Sequence, residues 1–225
     1  GDRELLLYVA VSQRLLGRVP DALGTLAALE QRHPRFSRLH EERGHCLVAL
    51  RQAPQAIEAF QQAVKLNHAL PASWSMLAGL HRMTSQPEDA AAAADQVATL
   101  RKLPPEIVTA TGLFMDEDLD RAEPLVRAYL LQHGNDVEAM RLLARIGMAR
   151  KVYDDAELLL KALLALAPDY KAARSEYAEV LLELHKYQDA RRELQQLLQE
   201  DPANRLQYQG LYATASVGLG EHELA

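Results

Sequence analysis

Val137–Pro168 and Lys171–Pro202 are one pattern written twice. The first reads VEAMRLLARIGMARKVYDDAELLLKALLALAP and the second KAARSEYAEVLLELHKYQDARRELQQLLQEDP. Offset by 34 residues, Ala144 falls on Ala178, Tyr153 on Tyr187, Asp155 on Asp189, Ala156 on Ala190, Leu160 on Leu194, Leu163 on Leu197 and Pro168 on Pro202. Each copy has two runs of apolar residues spaced three and four apart, which is helical spacing. A polar break separates the runs at Lys151–Asp155 or Lys186–Asp189. Each copy therefore predicts two helices and a turn, and a fixed period of this length predicts a helical repeat array. One such pair cannot bury its apolar face alone and must stack on a neighbour.

Extending the frame in both directions covers the chain. Repeats are expected at 3–36, 37–70, 71–102, 103–136, 137–170 and 171–205, with a partial seventh over 206–225. The eighth position of the six full repeats holds Ala10, Gly44, Ala78, Ala110, Ala144 and Ala178. The twentieth holds Ala22, Ala56, Ala90, Ala122, Ala156 and Ala190. A large side chain where two helices cross would hold their axes apart, and Ala or Gly lets the backbones approach. In the partial repeat a one-residue shift puts Ala213 and Ala225 at these two positions. Proline closes repeats one, five and six, whereas His68 and Gly134 stand at that place in repeats two and four.

These residues resemble the tetratricopeptide repeat (TPR) family, which has a small residue at the eighth position, Ala at the twentieth, a large apolar residue at the twenty-fourth and Pro at the thirty-second. The resemblance implies an all-α, right-handed superhelix of six helix-turn-helix repeats plus a partial seventh. It implies a protein- or peptide-binding scaffold without catalysis, whose first helices (A) line a concave groove. Carried onto this chain, that groove presents Arg82, Ile107, Phe114, Arg141, Arg145, Met148 and Glu179, with the small Ser75 and Gly79 leaving space. The three arginines offer planar donors for carboxylates, and Ile107, Phe114 and Met148 offer apolar contact. A segment of acidic and apolar character would suit such a groove. The other reading of the arginines is pairing with surface carboxylates such as Glu138 or Glu179. The family's chaperone-tail-binding members carry a basic clamp in their first repeats. This chain has Leu7, Val11 and Glu42 there, so that ligand is not expected.

The turns carry their own signals. Pro20, Pro54 and Pro87 sit near the start of second helices (B), where a missing N–H is tolerated. Ser85-Gln86-Pro87-Glu88 reads as a capping box, and Gly134-Asn135 as a helix stop. Asp116-Glu117-Asp118-Leu119-Asp120 reads either as a solvated, helix-capping turn in a drifted fourth repeat, or as a kink or acidic docking loop.

Chemistry-bearing patterns are sparse. His40 and His45 are five apart, which points them about 140° apart on a helix and not at one metal. Cys46 has no nucleophile–base pattern and reads as a packed side chain. Gly218-Leu219-Gly220 lacks the third glycine and preceding strand of a nucleotide loop. No catalytic, cofactor-binding or metal residue is expected. The net charge of −6 argues against a general nucleic-acid binder, no apolar run is long enough to span a membrane, and a single cysteine fits a reducing, cytoplasmic setting.

The sequence stops where a second helix is due, so a fragment of a longer protein is expected, or homo-oligomers formed through the open last repeat. In its Ala/Leu/Arg-rich style the chain is also similar to arrays that precede sulfotransferase domains in some bacterial proteins. The alternative function is thus an N-terminal recruiting region of a larger enzyme whose catalytic domain lies outside these 225 residues.

Overall fold

The computed structural model describes residues 2–220, and among them there are thirteen α-helices, one short 3₁₀ turn and no strand. The helices are α1 (Asp2–Leu15), α2 (Val19–Arg32), α3 (Ser37–Ala49), α4 (Ala53–Leu66), α5 (Pro71–Met83), α6 (Pro87–Leu100), α7 (Pro105–Met115), α8 (Leu119–His133), α9 (Val137–Ala149), α10 (Tyr153–Leu166), α11 (Lys171–Glu183), α12 (Tyr187–Glu200) and α13 (Arg205–Gly218). This is the all-helical array of paired repeats that the 34-residue period predicts. The chain divides into two compact units, Gly1–Asp118 and Leu119–Ala225. The helices of the fourth repeat fall on either side of that division, α7 in the first unit and α8 in the second.

Small residues mark the helix crossings. Ala10, Ala22, Ala56, Ala110, Ala122, Ala144, Ala156, Ala178 and Ala190 are fully buried. At Gly44 even one carbon more is excluded, since a Cβ there would lie 2.7 Å from the Phe60 ring. Gly218 does the same for Tyr187, at 2.6 Å. The large apolar side chains lie between consecutive pairs. Leu160 and Leu163 of α10 are buried in one cluster with Met140 and Ala144 of α9 and Ala173 and Val180 of α11. Fully burying a leucine contributes about 1.5–3 kcal/mol, and here that burial needs the neighbouring repeat. The last helix departs from the expected register. Ala215 is fully buried beside Leu181 and Ala190, whereas Ala213 is only half-buried. Ala225 lies outside the described residues.

Each A-to-B turn repeats one conformation. Gly17, Arg51, Ser85, Glu117, Lys151 and His185, all at the fifteenth position of their repeats, have φ between 58° and 77°. The next residue's N–H reaches back five residues, as in Arg18 N to Gln13 O (2.8 Å) and Val152 N to Gly147 O (2.8 Å). This is a Schellman stop, which satisfies carbonyls that the helix end would leave orphaned. It also corrects the reading of Ser85 as a cap. Ser85 is the left-handed residue, α6 starts at Pro87, and its N-cap Gln86 makes no side-chain capping bond. The Gln86 side-chain oxygen is engaged instead by His81 Nδ1 (2.6 Å) and Thr84 Oγ1 (3.1 Å).

The acidic turn after α7 is not uniformly solvated. Asp116 is buried, and its carboxylate accepts the Ser37 N–H at 3.0 Å and Asn67 Nδ2 at 3.4 Å. Ser37 is the first residue of α3, and Phe36 at its N-cap offers no side-chain acceptor. Asp116 therefore caps α3 from 79 residues away. Asn67 replaces the turn-forming effect of the proline that His68 lacks. Its Oδ1 accepts the Ala69 N–H (3.0 Å), and its Nδ2 donates to Gly112 O (2.9 Å) of α7. Within the first unit, α7 thus rests on the turns that join one pair to the next.

Candidate functional site

In the second unit, α9 and α11 present consecutive A-helix faces. Arg141 of α9 makes a two-pronged contact with Glu176 of α11, Nε to Oε2 at 2.9 Å and Nη2 to Oε1 at 2.7 Å. Its third nitrogen, Nη1, donates to the Tyr170 hydroxyl at 3.0 Å, and the guanidinium carbon lies 5.2 Å from that ring's centre. The hydroxyl in turn donates to Glu138 at 2.7 Å. Arg145, one turn further along α9, has Nε 3.7 Å from the same Glu176 carboxylate. The sequence places Arg141 and Arg145 on one face by their spacing of four, and the structure brings them together on one carboxylate. That carboxylate belongs to Glu176, not to Glu138 or Glu179.

The electrostatics of this face are unequal. Burial works against the charge on Arg141, but the hydrogen bonds and charge of Glu176 outweigh it and hold the guanidinium above its ordinary pKa. Arg145 goes the other way. Burial and the neighbouring Arg141 push it down, and Glu176 offsets only part of that. Glu179 on α11 is pushed up by burial and by the adjacent Glu176 charge, against a hydrogen bond from Gln207.

Met148 packs partly against the core beneath α9 and α11. In the first unit, Ile107 is 2% exposed and is committed to packing. Arg82 is exposed, and its Nε donates to Ala78 O of its own helix at 3.0 Å. Phe114 is half-buried. Arg82, Ile107 and Phe114 belong to the first unit, and Arg141, Arg145, Met148 and Glu179 to the second. On the inner helices of the first unit, Glu42 is buried and paired through both oxygens with Arg14.

Sequence reasoning missed Glu176 and Tyr170. The available signal was charge at one repeat's spacing. Arg38 pairs with Glu4, 34 residues earlier, and Arg141 with Glu176, 35 residues later. Side chains at matching places on stacked repeats are neighbours, so opposite charges one period apart mark a ladder.

Cys46 is buried, and burial first, then the charge of Glu42, pushes its thiol up to about 11, which removes thiolate character at neutral pH. His40 is buried near Pro34 O, and His45 meets the Phe60 ring edge-on. Among the described residues, no group of three or more His, Cys, Asp or Glu is arranged to hold a metal.

A family model described as tetratricopeptide repeat matches residues 10–71, 42–107 and 109–171, and a second of the same description matches 147–215. No curated protein matches the chain. Among solved structures, the APC/C hetero-tetramer Cut9-Hcn1 aligns with 96% of this chain at 14% identity and a TM-score of 0.51. This chain spans 43% of that one. A tetratricopeptide repeat protein from Parabacteroides merdae aligns over 100% of this chain and 90% of its own, at 16% identity and TM-score 0.48. The TPR2AB domain of yeast Sti1, in a complex with pHSP90, aligns over 95% and 98%, at 12% identity and TM-score 0.46. At 14% identity, the likeness to the Cut9-Hcn1 structure is one of fold alone.

Proposed function

Because the chain belongs to the tetratricopeptide repeat family, we propose that it is a non-catalytic scaffold whose α9–α11 face takes an extended or helical protein segment. The observation that carries this reading is the gathering of Arg141 and Arg145 on the single carboxylate of Glu176. Arg141 holds Glu176 with two hydrogen bonds, Arg145 stands 3.7 Å from the same carboxylate, and Glu179 occupies Arg145's place in the next repeat. Two arginines to one carboxylate leave donor capacity for a ligand carboxylate at this face, and Glu179 offers an acceptor for a ligand donor. Arg145 and Glu179 both sit ninth in their repeats, so the two ligand groups would be spaced roughly as adjacent packed helices, about 8–10 Å apart. Met148 supplies apolar contact between them, and Arg141 is the fixed post that holds Glu176 in place.

Peptides selected from a random display library on the full chain test this. They should carry an acidic residue, and Arg145→Glu should weaken the best of them at least tenfold by calorimetry. Selected peptides that bind the variant and the parent equally would remove the face from consideration. The reading of the chain as part of a sulfotransferase draws no support from these matches, which are to repeat models and repeat-containing structures. A reducing compartment is the setting we propose, supported by the solitary, inert Cys46. Among the described residues no helix is long and apolar enough to cross a membrane.

A further inference from the structure

In the first unit, a cavity of about 230 Å³ opens between the start of α1, the α2–α3 turn, the end of α4 and the end of α7. Its lining includes three arginines, Arg3 from α1, Arg32 at the end of α2 and Arg35 from the following turn, with His33 beside them. The same lining sets two carboxylates, Asp116 and Glu117, against the three arginines. We propose that this cavity is a binding site for one phosphate group, separate from the α9–α11 face and independent of the function proposed for it.

Three observations carry the proposal. Arg3 is held in place, its guanidinium carbon 4.9 Å from the centre of the buried Phe36 ring, and an arginine stacked on an aromatic face keeps its donor edges available. Arg35 is exposed and has no hydrogen-bond or ion-pair partner among the described residues. One of the two carboxylates in the wall, Asp116, is already engaged at both oxygens by Ser37 and Asn67.

Opposing charge is present and bounded. Glu117 also lines the cavity, and Arg32 faces Asp2 at 3.4 Å, on an exposed contact. The carbonyl ends of α2, α4 and α7 converge here too, and each carries a partial negative charge of about one half. Arg32, in the last turn of α2, answers the first of these. Arg3 and Arg35 approach from different chain segments, as a tetrahedral oxyanion with several faces requires, whereas a lone carboxylate is satisfied by one guanidinium fork. His33 adds a further donor.

The test uses the full chain at low salt, titrated by calorimetry with inorganic phosphate and, separately, with a phosphoserine-containing peptide. Saturable binding that falls at least tenfold in Arg35→Glu and in Arg3→Gln, but not in Arg51→Glu, supports the site. Arg51 is an equally exposed arginine of the same unit, on an A-to-B turn. Equal affinity for the two probes identifies free phosphate as the ligand, and tighter binding of the peptide identifies a phosphorylated side chain. Circular dichroism of each variant confirms that the fold is retained. The proposal is overturned if neither probe saturates, or if Arg51→Glu loses as much binding as Arg35→Glu.

Discussion

Asp116 shows how much one residue's role depends on what folds against it. In the sequence it is the first of four acidic residues in a turn. In the fold it is a buried acceptor that closes the N-terminus of α3. Burial pushes its carboxyl above the ordinary value, against the hydrogen bonds of Ser37 and Asn67 and the charge of Arg3. A carboxyl raised in the folded state contributes stability below its unfolded pKa, and that contribution is lost as pH rises through the folded value. Asp116→Asn cannot ionise. The melting temperature of the variant relative to the parent should therefore climb as pH is raised from about 4 towards neutrality. A difference that stays flat across that range would show that Asp116 is not desolvated. Gly44 makes the complementary point. Its place in the small-residue register is plain in the sequence, but the reason no Cβ fits is the Phe60 ring, which only packing brings there.

At the scale of the helix pair, the repeated element is the left-handed residue that ends each A helix. Only the first of the six is glycine, and the others are Arg51, Ser85, Glu117, Lys151 and His185. A non-glycine residue in this conformation costs roughly 1–2 kcal/mol, so the chain accepts strain five times to keep the Schellman geometry. Lys151 is exposed and well suited to measuring this. Lys151→Gly should stabilise the chain by up to about 1 kcal/mol after glycine's own entropy cost, and Lys151→Val should destabilise it, because β-branching is poorly tolerated at positive φ. Urea denaturation should rank glycine above lysine above valine, and any other order would deny that the turn is strained. The B-to-A turns are more varied. Proline forces the preceding residue out of the helix at His33, Ala167 and Asp201, whereas Asn67 leaves the helix in an extended conformation with its side chain accepting the Ala69 N–H.

For the whole molecule, the division at Asp118 cuts through a repeat. The first unit holds three complete pairs and α7, and α7 with its C-cap Asp116 supplies the acceptors for Asn67 and Ser37. A chain of residues 1–118 should therefore unfold cooperatively by calorimetry. One ending at residue 104 should be less stable by about 1–3 kcal/mol, since it leaves those buried donors unsatisfied. Equal stability of the two would mean that α7 is not an integral part of the unit. The amino-acid sequence by itself determined the helices, their pairing and the small residues at their crossings, because these follow from spacings of three and four within each helix and from a repeat of 34 residues, shortened to 32 in the third. It also put Arg141 and Arg145 on one helix face. The tertiary structure alone decided that Glu176 takes them both, that Ile107 is buried, that Ala215 and not Ala213 is the buried residue of α13, and that Asp116 leaves the solvent. Those outcomes depend on how one repeat is rotated and seated against another. Helical periodicity specifies which side of a helix is apolar, but not which neighbour's side chain will fill the space beside it.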